Sequence, residues 1–175
     1  MSKISKVSKK YNKRPRLDIP HSQLEIILEA ISAAGILALI ILVIISWPEL
    51  PDKIPSHFGA SGTPDAWGSK TSVWFLTGTG VGLYALLTIV SRFPHTFNFL
   101  WAITEENAER QYQIARTMVG GLKAEIIWLF VYMEFGMIQV AMGKTDGLGV
   151  IFVPITLVVV FGTIFLCLLK GYIAR

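Results

Sequence analysis

The sequence predicts an all-α polytopic membrane protein with four transmembrane helices, an ordered extracytoplasmic loop and an interfacial cytoplasmic helix. Three observations lead there. Of the 175 residues, 53% are apolar and only 16% charged, whereas a soluble domain carries about 25% charged residues. Four windows approach the ~20 apolar residues needed to cross a hydrocarbon core. The cations are concentrated in alternate connecting segments. Together these exclude a water-soluble globule.

The spans fall at about 24–47, 73–91, 124–142 and 148–169. None alternates with period two, and only helices satisfy their own backbone in lipid without closing a barrel. The first is not a cleaved leader, because its apolar run is too long and Trp47-Pro48-Glu49 is no small-residue cleavage site. The chain divides into a basic cytoplasmic tail, 1–22, and a membrane domain, 23–175, with an outer loop at 48–72 and an inner segment at 92–123.

Orientation follows from the cations. Lys3, Lys6, Lys9, Lys10, Lys13, Arg14 and Arg16 face a single Asp18 in the tail, a local +6 that leaves −2 of the +4 total for the rest. With four cations in the inner segment and two at the carboxyl end, one side holds 13, against 3 in the other two loops (Lys53, Lys70, Lys144). The positive-inside rule places both termini and the inner segment in the cytoplasm. Trp47 and Trp74 then mark the outer interface and Trp101 the inner one. The basic balance belongs to the tail and points to anionic lipid, not nucleic acid.

Small residues recur at Ala30, Ala34 and Ala38 and at Gly78 and Gly82. They let helices approach closely, and we expect them to pack inside the bundle, a homo-oligomer being the other use. Pro154 is expected to kink span four. Cys167 lies in an apolar run and excludes an intramolecular disulfide or a cysteine-based zinc site.

The outer loop carries Pro48, Pro51, Pro55 and Pro64 with Gly59, Gly62 and Gly68, which predicts a series of defined turns. Leu50, Ile54, Phe58 and Trp67 give it apolar anchors that a disordered linker lacks. Its polar candidates are His57, Asp65 and Lys70. His57 and Asp65 fall short of the three or four ligands of a zinc site, so no metal and no cofactor is expected, and they suit hydrogen bonds that hold the turns. No Ser/His/Asp set supports hydrolysis, so no catalytic residue is assigned. With Trp67 as apolar anchor, His57, Asp65, Trp67 and Lys70 form the candidate binding surface.

The string Leu50-Pro51-Asp52-Lys53-Ile54-Pro55-Ser56-His57-Phe58, then Gly62, then Pro64-Asp65-Ala66-Trp67-Gly68-Ser69-Lys70, resembles the signature of a bacterial membrane family built on a domain of unknown function. The resemblance continues through Asn107, Arg110, Tyr112 and Arg116 and covers about residues 40–141. That domain also forms the amino-terminal part of SdpI-like toxin-immunity proteins, which carry a further multi-span module where this chain has only span four. The resemblance implies an immunity-like role by analogy and assigns no catalytic residue.

In the inner segment, Thr104 is a natural N-cap with Glu105 and Glu106 in the first turn, and Glu106 and Arg110 stand at i,i+4. An amphipathic helix is expected from Glu105, jointed to span three at Gly120-Gly121. Asn107, Arg110, Tyr112 and Arg116 lie on it as candidates for a phosphate head group, a cytoplasmic partner or a solvated face. Glu25, Glu29 and Glu125, nearer the interface, are expected to stay hydrated. Glu134 sits at mid-span, where a charged carboxylate costs about 2.5 kcal/mol or more. It is either an ion-coupling group or a protonated hydrogen-bonding one.

Three functions compete: recognition of a peptide toxin, lipid or membrane-protein partner by the outer loop; a small ion-coupled transporter using Glu134; and an accessory subunit of a larger membrane complex.

Overall fold

In a computed structural model, which describes residues 14–175, the order is α1 (Gln23–Ser46), β1 (Lys53–Phe58), β2 (Pro64–Ser69), α2 (Ser72–Ser91), a 3-10 turn (Pro94–Thr96), α3 (Ala108–Ala141) and α4 (Phe152–Ile173). Four helices are long and apolar enough to cross a membrane. Lys3, Lys6, Lys9, Lys10 and Lys13 lie outside the described residues.

Helix α1 starts on a capping box. Ser22 Oγ accepts the Glu25 N–H, and the Glu25 carboxylate accepts the Ser22 N–H at 2.7 Å. Its buried stripe is Glu25, Ser32, Gly35, Leu39 and Val43, not the alanines, since Ala30 and Ala34 are exposed. Gly78 and Gly82 likewise face open space, and Gly80 takes the close contact instead, against Leu39 and Phe130. Internal packing through the expected small-residue stripes does not occur. Gly35 and Gly80, outside those stripes, stand at the seams instead.

Helix α3 corrects a second expectation. It runs unbroken through Gly120-Gly121, and the positions of the missing Cβ atoms lie 3.5 Å from Leu28 and 3.4 Å from Thr163. The glycines admit neighbouring helices and are not a joint. At 1.5 Å per residue the 34 residues span about 51 Å, longer than a ~30 Å hydrocarbon core. One end of α3 therefore projects.

Pro154 is the third residue of α4. The first four helical N–H groups have no intrahelical partner in any case, so this proline sacrifices no bond and the expected kink has no cause.

The loop between α1 and α2 is not a series of turns. It is an antiparallel two-stranded hairpin, so the chain is helical with one small sheet. The register pairs Lys53 with Ser69, Ile54 with Gly68 and Pro55 with Trp67. Lys70 N–H bonds Asp52 O at 2.9 Å, so by alternation the next ladder bonds fall at Ile54/Gly68 and Pro55 stands at an outward position. Proline is tolerated there because no N–H is required of it. Ile54, fully buried, inserts among Val43, Leu50, Val73, Met137 and Ile138 and fixes the hairpin on the helix ends.

The hairpin tip docks as well. Gly62 has φ +78°, and its carbonyl accepts the Leu148 N–H at 2.7 Å from the α3–α4 loop. A Cβ on Gly147 would overlap Gly62 O, and one on Gly62 would stand 2.7 Å from Gly149 O. Only glycines permit this backbone contact.

Candidate functional site

Polar side chains collect in three places: the hairpin, the seam around Glu134, and the opposite end of the bundle, called here the tail end.

On the hairpin, the strands slip register between Pro55 and Phe58, and Asp65 is skipped on β2. The slip brings His57 Nδ1 within 2.6 Å of Asp65 Oδ1, with both side chains more than half exposed. Trp67 is 55% exposed. Lys70 is drawn away from them. Its ammonium lies 5.1 Å from the centroid of the Trp47 ring and 4.0 Å from Asp52 Oδ1, at the hairpin base, where Trp47 also packs on Trp74 at 6.0 Å. The expected constellation thus divides into an exposed His57–Asp65–Trp67 group and a stapled Lys70.

Glu134 is fully buried. Thr77 Oγ1 lies 2.5 Å from Glu134 Oε1 and also 3.1 Å from Val73 O, its i−4 carbonyl. One hydroxyl proton cannot serve both acceptors. Both contacts are satisfied when Glu134 carries a proton and donates it to Thr77 Oγ1.

At the tail end the structure reveals bonds that no local sequence pattern marks. Arg116 grips Glu25 through two bonds, Nε to Oε1 at 2.9 Å and Nη2 to Oε2 at 3.0 Å. It also donates to Ile19 O at 2.8 Å and Pro20 O at 3.0 Å. Tyr112 OH donates to Pro15 O at 3.0 Å, and its ring packs with Ile19, Ala108 and Phe99. Tyr112 and Arg116 therefore do not stand on a solvated face: they strap residues 15–20 across α1 and α3. Asn107 serves locally, its Oδ1 accepting Thr104 N–H at 2.9 Å and its Nδ2 donating to Ala102 O at 3.1 Å. Asn107 precedes α3 without a side-chain cap bond to it, and Thr104 Oγ1 accepts the Asn107 N–H at 3.3 Å, so the expected capping residue caps the turn that leads into the helix. Arg110 is exposed, and the salt bridges among the described residues do not join it to Glu106.

One turn further in, Lys123 bonds Glu29 and, at 2.9 Å, Thr88 Oγ1, with its ammonium 4.8 Å from the Tyr84 ring centroid. Tyr84 OH donates to Glu29 Oε1 at 2.5 Å. Lys123 is 2% exposed. Thr163 donates to Glu125. Glu25, Glu29 and Glu125 are thus engaged across helices, and Glu25 is buried, contrary to the expectation of hydration. A signal was present: two acids four apart on α1 and two bases seven apart on α3 share one face each.

Among the described residues no group of three or more His, Cys, Asp or Glu could hold a metal ion.

The helices and the site define a membrane protein with a hairpin-capped four-helix bundle. A family model described as a domain of unknown function, DUF1648, matches residues 34–81. That stretch holds the second half of α1, the whole hairpin and the first half of α2, but none of the tail-end charges. No curated protein and no solved structure matches the chain.

Proposed function

We infer that this is an integral protein of the bacterial cytoplasmic membrane, with both termini in the cytoplasm, whose outer hairpin recognises a polypeptide. The partner is a peptide toxin, in an immunity-like role, or an exposed segment of another membrane protein. The observation that carries this reading is the state of the polar groups. Glu25, Glu29, Tyr112, Arg116 and Lys123 are each engaged in bonds within the chain, whereas His57, Asp65 and Trp67 stand exposed on a hairpin anchored at both base and tip. A preordered surface loses little entropy on binding, and an exposed tryptophan beside a polar pair has the composition of a binding hot spot. The family match, which spans the hairpin, supports the same focus. The carrier reading finds less support, because Glu134 is fully buried between α2 and α3, where Oε1 bonds only Thr77 and Oε2 has no partner among the described residues.

The test pairs partner capture from native membranes with thermal melting of the purified protein. Trp67→Ala and Asp65→Ala are expected to lose capture at least tenfold, about 1.4 kcal/mol, with melting unchanged. Glu134→Gln, which keeps the bond to Thr77, is expected to alter neither. Early melting of both hairpin variants contradicts the recognition role and favours an accessory subunit. Loss of function in a folded Glu134→Gln variant favours the carrier.

A further inference from the structure

At the tail end, between α1, α2 and α3, lies a cleft of about 500 Å³ whose floor includes Glu25, Glu29, Arg92, Arg116 and Lys123. It exists because Ala30, Ala33 and Gly120 put little side-chain volume on its walls. Glu25 accepts from Arg116 at both oxygens, and Glu29 accepts from Tyr84 at one oxygen and Lys123 at the other. Arg116 uses four of its five N–H groups, and Lys123 two of its three. Arg92, exposed at the C-cap of α2, has no acidic partner among the described residues. Beside His21, Thr88 and Ser91, three cations therefore line the cleft against two engaged carboxylates. Ile26, Ala33 and Val119 add apolar side chains to the same cleft.

We propose that this cleft binds one anionic phospholipid of the inner leaflet. The head-group phosphate accepts from Arg92 and from the remaining N–H groups of Lys123 and Arg116, and the first part of an acyl chain lies along Ile26, Ala33 and Val119. Charge complementarity selects the ligand: three cations line the cleft against two carboxylates that are each already paired with one of them, and the cytoplasmic leaflet is where anionic lipid is found. Both halves of the wall are needed, because a free phosphate would leave the apolar side unfilled. The proposal is independent of the hairpin, though it shares the orientation that places the tail end inside.

The test uses the full chain in detergent, stripped of lipid and titrated with dioleoylphosphatidylglycerol, dioleoylphosphatidylcholine or inorganic phosphate, with bound lipid counted by native mass spectrometry. One phosphatidylglycerol is expected to be retained in clear preference to phosphatidylcholine, and millimolar phosphate is expected not to displace it. Arg92→Gln is expected to weaken retention about tenfold, the loss of one charge-assisted contact, with melting unchanged. Ala33→Leu fills the apolar wall without touching a charge and is expected to lower retention as well, which decides the matter should Arg92→Gln melt early. Retention equal to that of the original chain in both variants overturns the proposal. Displacement by phosphate overturns the lipid in favour of a soluble anion.

Discussion

Replacing Arg116 by alanine is expected to cost the bundle about 3–5 kcal/mol, because the change strands a buried carboxylate without its cation. Glu25 and Arg116 are each 8% exposed, so water cannot replace the missing partner. The carbonyls of Ile19 and Pro20 lose their donors in the same step, which releases the strap from α1 and α3. Thermal melting of the solubilised protein, with proteolysis at residues 14–20, measures both effects. The double variant Glu25→Leu with Arg116→Met is expected to recover part of the melting temperature, since neither ion is left uncompensated, although the capping-box bond from Ser22 N–H to Glu25 is lost. Its strap stays loose, because methionine cannot donate to the two carbonyls. Recovery of melting without recovery of protease resistance separates the ion pair from the strap.

The second large effect is expected at Gly147→Ala. The added methyl overlaps Gly62 O, a backbone atom held in a turn with positive φ, so neither side can yield by changing a rotamer. Overpacking of this kind costs about 1–3 kcal/mol. Because the contact lies at the hairpin tip, the loss falls on the docking of the hairpin. Hydrogen exchange at the Leu148 amide, which bonds Gly62 O, is expected to accelerate while amides within α1 and α3 stay protected. Gly162→Ala is the control. Nothing lies within 4 Å of its added Cβ, and alanine in a helix interior is favoured over glycine by up to about 1 kcal/mol. A Gly147→Ala protein with unaltered exchange at Leu148 would contradict the docking.

The four helices were legible because an apolar run long enough to cross a bilayer has too much surface for a small aqueous core to bury. Span one was expected at 24–47 and is found at Gln23–Ser46, and span two, expected at 73–91, lies at Ser72–Ser91. Helix α4 begins later than expected, at Phe152, because Gly149 takes positive φ and ends the loop there. The hairpin was hidden by its prolines. Pro55 and Pro64 read as breakers, yet in a two-stranded sheet every strand is an edge and proline can occupy its outward positions. His57 and Asp65 read separately as side chains whose hydrogen bonds hold turns, and their bond to each other depends on the slipped register, which no local pattern shows. The departure of Lys70 toward Trp47 was not, since cation and ring are 23 residues apart with the hairpin between them.

The tail-end ion pairs were the largest omission. Arg116 and Glu25 are separated by 91 residues and Lys123 and Glu29 by 94, so no local rule joins them. Arg116 and Lys123 count as loop cations for orientation, and that role concealed their burial. Helix α3 is about 20 Å longer than a ~30 Å core, so its charged first turns need not enter lipid, and Arg116 and Lys123 are buried against α1 instead. The alanine and glycine stripes misled for a different reason. Small residues permit close packing without requiring it, and here Gly35 and Gly80, outside the regular stripes, take the tight contacts.

Recognition by the hairpin depends first on sidedness, because an outward hairpin meets an external peptide and an inward one cannot. Single cysteines at Ser61 and at Arg110, each introduced with Cys167→Ser, give the direct measurement in intact cells treated with a membrane-impermeant maleimide. Both native positions are exposed, so reaction reports the side of the membrane and not burial. Ser61→Cys is expected to label before lysis and Arg110→Cys only after it. Labelling of Arg110→Cys in intact cells, with Ser61→Cys protected until lysis, would contradict an outward hairpin and the recognition role built on it.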